Sequence, residues 1–170
     1  MTDVKAMAEK AYNLGKQYQA TYRGCSQTVL AALQDATGIK NDAIFKAATG
    51  LAAGGALCDD GSCGAYAGAI LFMSSILGRE RSDFADAPRI RFKSFALARK
   101  LHDRFIAEYG SMICRDIHRK LLGRPYFISD PDEMVKFDDA GGHSTVAPEV
   151  VGKTARWTVE ILGEEGLLPG

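Results

Sequence analysis

The chain has no excess charge of either sign. Its 170 residues carry 21 lysines and arginines against 21 aspartates and glutamates. Proteins that bind nucleic acid or anionic membrane surfaces usually show a basic excess, so neither partner is expected. The basic run Arg89-Ile90-Arg91-Phe92-Lys93 reads as a solvated helix face. Long apolar runs are also missing. The longest, Ala65 to Leu77, is broken by Gly68, Ser74 and Ser75 and is too short to span a bilayer. The start, Met1-Thr2-Asp3-Val4-Lys5, has no basic region followed by an apolar one, so no signal peptide is expected. These absences give the expectation of a soluble cytoplasmic protein without membrane insertion. Strand-like alternation is almost absent. So are a dinucleotide fingerprint, a phosphate loop closed by Lys-Ser or Lys-Thr, and a Gly-x-Ser-x-Gly elbow. No pair of carboxylates stands apart from ordinary surface charge.

What is present is helical spacing. One domain over residues 1–170 is the default at this length. The expected fold is an all-α bundle of six or seven helices around a buried central helix at about 65–77. A first helix runs from about Asp3 to Tyr18. A second starts near Cys25 and stops at Gly38. Asn41 or Asp42 caps a third. A helix from Asp86 and Pro88 to Tyr109 presents Phe92, Phe95, Ala98, Leu101 or His102, and Phe105 as its inner stripe. Ser111 caps a shorter one to Leu122, and the last runs from Glu149 to Leu162, before a frayed tail at Gly163–Gly170. Between 123 and 148 the periodicity fails at Pro125, Asp130-Pro131-Asp132 and Gly141-Gly142. So long an irregular excursion either wraps the surface or covers a site.

The chemistry concentrates in the glycine-rich stretch from Ala53 to Gly68, which holds Cys58 and Cys63, two of the four cysteines. Cys25, Cys63 and Cys114 share a setting. Cys25 follows Gly24 and Cys63 follows Gly61-Ser62, each at the expected start of a helix with Ser62 as the expected cap beside Cys63, and Cys114 lies in the first turn after Gly110-Ser111. Free N–H groups and partial positive charge at a helix N-terminus favour a thiolate, which is both nucleophile and metal ligand. Cys58 differs, because Asp59 and Asp60 beside it disfavour the anion. No second cysteine pair follows Cys58-x4-Cys63, so structural zinc is a weak fit. An iron–sulfur cluster needs four ligands, and four cysteines are available. Cys114 and His118 stand at i, i+4 on one helix face, so His118 is either a ligand, a proton donor to a thiolate or a polar surface residue. His102 and His143 have less to recommend them. In a thiol/disulfide reading, Cys63 attacks and Cys58 or Cys25 resolves. The competing class is a non-enzymatic helical binding or assembly module whose cysteines are packing residues.

Cys63-Gly64-Ala65-Tyr66-Ala67-Gly68 resembles the Cys-Gly-Ala-x-x-Gly motif of the redox-active C_GCAxxG_C_C family. Gly24-Cys25-Ser26-Gln27 looks like that family's first cysteine. Gly54-Gly55 looks like its glycine pair, and Tyr109 to Ile117 looks like the segment bearing its third cysteine. The likeness runs from about Tyr12 to Leu162. The family pattern has one more cysteine after the motif, near Val146–Glu149, where this chain has Ala147; Cys58 is extra. The resemblance implies redox activity, with Cys25, Cys58, Cys63 and Cys114 as thiols or as ligands of an iron–sulfur cluster, and His118 as a further candidate ligand. It places Gly64, Ala65 and Gly68 at the cofactor, since a related domain in a split-Soret-type cytochrome is associated with an iron–sulfur centre. It also implies an electron-transfer or thiol partner. A homo-oligomer is a further option.

Overall fold

A computed structural model describes residues 3–169. Residues 1, 2 and 170 of the expected domain lie outside the described residues. The fold is all-α. Eight α-helices follow one another: α1 (Val4–Tyr22), α2 (Cys25–Thr37), α3 (Asp42–Ala47), α4 (Gly64–Ile76), α5 (Ile90–Tyr109), α6 (Cys114–Leu122), α7 (Pro131–Asp139) and α8 (Ala147–Glu164). A 3-10 segment, Ala48–Gly54, follows α3, and a short π-turn, Gly142–Val146, leads into α8. No helix among the described residues is long and apolar enough to cross a membrane.

Local chemistry explains most helix starts. The Asp3 carboxylate accepts from the Ala6 N–H, and the Asn41 side chain accepts from the Ile44 N–H. Gly38, Gly110 and Gly123 end α2, α5 and α6 in the left-handed conformation. The excursion at 123–148 differs from the sequence expectation because it contains α7. Asp130 accepts from the Asp132 and Glu133 N–H groups, and Pro131 takes the first helical position. Those residues cap a helix here rather than break one.

The main core joins six helices, α1, α2, α4, α5, α6 and α8. Val29, Leu30 and Leu33 of α2 meet Ala65, Ala69, Phe72 and Met73 of α4, and Val151, Ala155 and Val159 of α8. α8 lies along α1, where Gly15 and Gly152 face each other closely enough that a β-carbon on Gly15 would come 3.2 Å from Gly152 Cα. α5 faces inward through Leu97, Leu101, Phe105 and Tyr109. Phe92 and Phe95, expected on its inner stripe, are exposed; the two rings pack edge to face on the surface, and Arg89 and Arg91 lie over Phe92. The i, i+4 series beginning at Leu97 sets the buried face instead. The C-terminal tail is held as well: the Leu167 N–H donates to the Leu162 carbonyl, and Leu167 and Leu168 pack on the core.

The approach of α4 to α2 fixes the position of the site. A β-carbon on Gly68 would lie 2.3 Å from the Ser26 carbonyl oxygen and 2.6 Å from Val29 Cγ1. Gly68→Ala is expected to cost about 1–3 kcal/mol by overpacking, a fall of several degrees in calorimetric Tm. An unchanged Tm would contradict this close crossing.

A second prediction concerns the start of α5. Buried Asp86 accepts from the Ile90 and Arg91 N–H groups and pairs with the Arg91 guanidinium at 2.7 Å. Burial pushes its carboxyl up, but these donors outweigh burial and hold it below the usual range. Its contribution is therefore present above the unfolded-state value of about 3.9 and is lost as pH falls through the lower folded value. Asp86→Asn is expected to lower the Tm at neutral pH, with the deficit closing as pH falls through the lowered carboxyl value. A deficit independent of pH would contradict the assignment.

Candidate functional site

Three cysteines stand at three helix starts. Cys25 is the first residue of α2, behind Gly24 in the left-handed conformation. Cys63 is the N-cap of α4, and Cys114 is the first residue of α6. Ser62 does not cap α4; its hydroxyl lies against Met112 Sδ at 3.9 Å. The segment before α4 is clamped to the segment before α6. The Cys63 N–H donates to the Met112 carbonyl at 2.8 Å, and the Cys114 N–H donates to the Gly61 carbonyl at 3.0 Å. The Arg115 N–H donates to the Asp59 carbonyl at 2.8 Å. This single antiparallel bridge, centred on Ser62 and Ile113, sets Cys63 beside Cys114. Cys25 enters from α2. A β-carbon on residue 64 would lie 2.4 Å from Cys25 Sγ, so glycine there admits the sulfur. The Ala53 N–H donates to the same sulfur at 3.5 Å.

Cys25, Cys63 and Cys114 all line one cavity of ≈ 260 Å³. Its other walls are mainly apolar, with Leu57, Ile117, Ile128, Met134 and Phe137 among them. Residues 123–148 supply much of that wall, so the excursion covers the cavity. Ala147 lines it too. Cys58 does not line it. Its thiol faces the Ala56 carbonyl oxygen at 3.5 Å on the outer side of the loop. Ala56, Leu57 and Asp59 all have positive φ, so the chain turns sharply around Cys58.

Burial decides the state of the thiols. Desolvation pushes Cys25 up despite backbone N–H groups from Ala53, Ser26, Gly64 and Ala65. Cys63 is pushed up to about 12, chiefly by desolvation and then by Cys25 nearby. Cys114 is raised well above its ordinary value by the same cause, with Cys63, Cys25 and Asp59 adding to it. The expectation of acidic thiols at helix N-termini is therefore corrected: partial charges at the helix ends do not offset the loss of water. As free groups these are neutral thiols. A bound metal reverses that, because coordination deprotonates a thiol.

Two further polar residues face the sulfurs. His118 is buried rather than on the surface, at 7% exposure, and its Nε2 lies 3.7 Å from Cys114 Sγ. Its Nδ1 lies 3.5 Å from Asp59 Oδ2. Asp59 is 3% exposed. Both Asp59 carboxylate oxygens and His118 Nδ1 are buried without a hydrogen-bond partner among the described residues. One ligand atom from each of Asp59, Cys114 and His118 can be chosen so that all lie within 4.8 Å of one another. From the sequence, Asp59 looks only like a charge beside Cys58; nothing local marks it as buried. His143 also lines the cavity and pairs with Asp138, whose carboxyl it holds below the usual range. His102 stays at the surface beside Asp103.

The arrangement can hold a soft or borderline metal. Thiolate and imidazole are ligands of iron–sulfur and zinc centres. A buried carboxylate with no donor is costly unless a cation or a proton compensates it. These residues therefore fit a metal-bearing group.

Neither the curated proteins nor the solved structures compared with this chain include a match. A family model described as "Putative redox-active protein (C_GCAxxG_C_C)" matches residues 23–161. That span contains Cys25, the Cys63–Gly68 motif, Cys114 and the cavity they share. The chain belongs to the C_GCAxxG_C_C family.

Proposed function

We propose that this protein is an electron carrier whose centre is an iron–sulfur cluster held by Cys25, Cys63 and Cys114. The observation that carries the reading is the meeting of three sulfurs, from helices far apart in sequence, in one largely apolar cavity. The family assignment supports redox chemistry. The bound cluster would supply one-electron transfer. The chain's own residues do the rest. Gly64 makes room for the Cys25 sulfur, and Gly68 lets α4 approach α2 closely enough to bring the two cysteines together. The Ala53 N–H, joined by backbone N–H groups at Gly64 and Ala65, points at the Cys25 sulfur. Donors of this kind stabilise negative charge on sulfur and tune the reduction potential. α7 and the π-turn keep water from the sulfurs.

The disulfide alternative is weaker on two counts. Cys58 faces away from the cavity, and Cys63 as a free thiol is a poor nucleophile at neutral pH. An assembly module with packing cysteines leaves the orphaned polar atoms of Asp59 and His118 unexplained. The partner implied by an electron carrier is a redox protein that donates or accepts electrons.

Anaerobic reconstitution with ferrous iron and sulfide tests this. The expected product is coloured, with iron and acid-labile sulfide in similar amounts. Cys63→Ser and Cys114→Ser are expected to lose most of both, and Cys58→Ser to keep both. A colourless wild-type product, or a Cys58→Ser variant as empty as Cys63→Ser, would contradict the reading.

A further inference from the structure

Asp59 and His118 are the most unusual polar groups in the molecule. Their burial is not incidental, because the backbone of Asp59 is fixed on both sides. Its N–H donates to the Ala53 carbonyl at 2.8 Å, and its carbonyl accepts from Arg115 at 2.8 Å. Its φ is 61°, in the left-handed region. A β-carbon on Gly54 would come 2.8 Å from the Asp59 backbone, so a glycine at 54 clears the space. The carboxylate thus held points at His118 and receives no hydrogen bond. The imidazole lies tilted against Phe137, at 4.8 Å between ring centroids, and meets Tyr126 edge to face at 6.4 Å, while Phe137 and Tyr126 touch each other. Its two nitrogens face different groups: Nδ1 faces Asp59, and Nε2 faces Cys114.

We infer that His118 is the fourth ligand of the sulfur site, through Nε2, and that Asp59 is the positioning residue that holds its Nδ1–H. The inference rests on the sulfur-bound metal centre proposed above and adds its donor set. A ring with one nitrogen toward a metal and the other toward a carboxylate is the usual outer-shell arrangement for a ligating histidine. It fixes the tautomer and strengthens the imidazole as a donor. It also accounts for Asp59: a carboxylate with no donor gains the Nδ1–H and a nearby positive centre. The assignment settles the shortage of cysteines. Cys58 lies outside the cavity, and Ala147 stands in the wall where a further sulfur would reach it. The donor set is then three thiolates and one imidazole, and the histidine arrives on α6 with Cys114, one turn further along.

Cobalt(II) reports donor type without requiring cluster assembly, so it separates this inference from the cluster itself. Anaerobic, reduced full-length protein titrated with cobalt(II) is expected to show thiolate charge-transfer and tetrahedral d–d absorption. His118→Gln is expected to weaken cobalt binding at least about 10-fold and to shift the d–d bands. Asp59→Asn, which suits the left-handed backbone, is expected to weaken it about 10- to 100-fold with a smaller shift. Adding Ala147→Cys to His118→Gln is expected to restore tight binding, with bands moved toward an all-sulfur site. Circular dichroism confirms the fold of each variant. Cobalt affinity and bands unchanged in His118→Gln would overturn the inference while leaving the sulfur site standing. Wild-type protein that gives no thiolate charge transfer would also overturn the inference, whereas the cluster reading fails separately, when reconstitution leaves the wild type without iron and sulfide.

Discussion

The sulfur of Cys25 occupies the space in which any residue but glycine at position 64 would place its side chain. Most of the site's geometry follows from that contact. It requires α2 and α4 to start side by side, and the crossing at Gly68 and Ser26 lets them do so. The turn before α4 must then present Cys63 toward Cys25, and its two backbone hydrogen bonds to the segment before α6 bring Cys114 to the same place. Glycine in this motif is a matter of steric exclusion more than flexibility. Gly64 and Gly68 are ordinary helical residues, needed for what they lack.

Two electrostatic effects compete over the three thiols. Helix N-termini lower a thiol's pKa, and removal from water raises it. Here burial wins, so the sulfurs are protonated on their own, and a metal would have to displace their protons to bind. That state suits the proposed metal centre, and it is a poor one for a thiol exchange catalyst, which needs an exposed thiolate near ambient pH. The apolar wall supplied by α7 and the π-turn serves the same end. It keeps the dielectric low, which strengthens the interaction of any bound charge with the groups around it.

Much of this could be read from the residues, because the informative signals are local. Asn41, Gly38, Gly110 and Gly123 mark helix ends by capping chemistry that acts within a few residues. The glycines around Cys63 mark a crowded backbone. What escaped was set by contacts distant in sequence. Asp130-Pro131 serves equally as a breaker or as a cap and first turn, and only the packing of Phe137 onto Cys114 and Tyr126 decides between them. Phe92 and Phe95 are apolar and correctly spaced, yet the bundle meets the next face of α5. Asp59 resembles Asp60 in sequence, but its left-handed backbone and its hydrogen bonds to Ala53 and Arg115 turn it inward. His143 is placed by the π-turn, which no periodicity announces.

The central claim is that iron binds among Cys25, Cys63 and Cys114. Anomalous diffraction at the iron absorption edge, from crystals of the anaerobically reconstituted protein, tests it most directly. Strong anomalous density is expected inside the cavity, with each of the three sulfurs within bonding distance of an iron. Ordered crystals of iron-loaded protein with no peak there, or with peaks only on surface carboxylates, would contradict it.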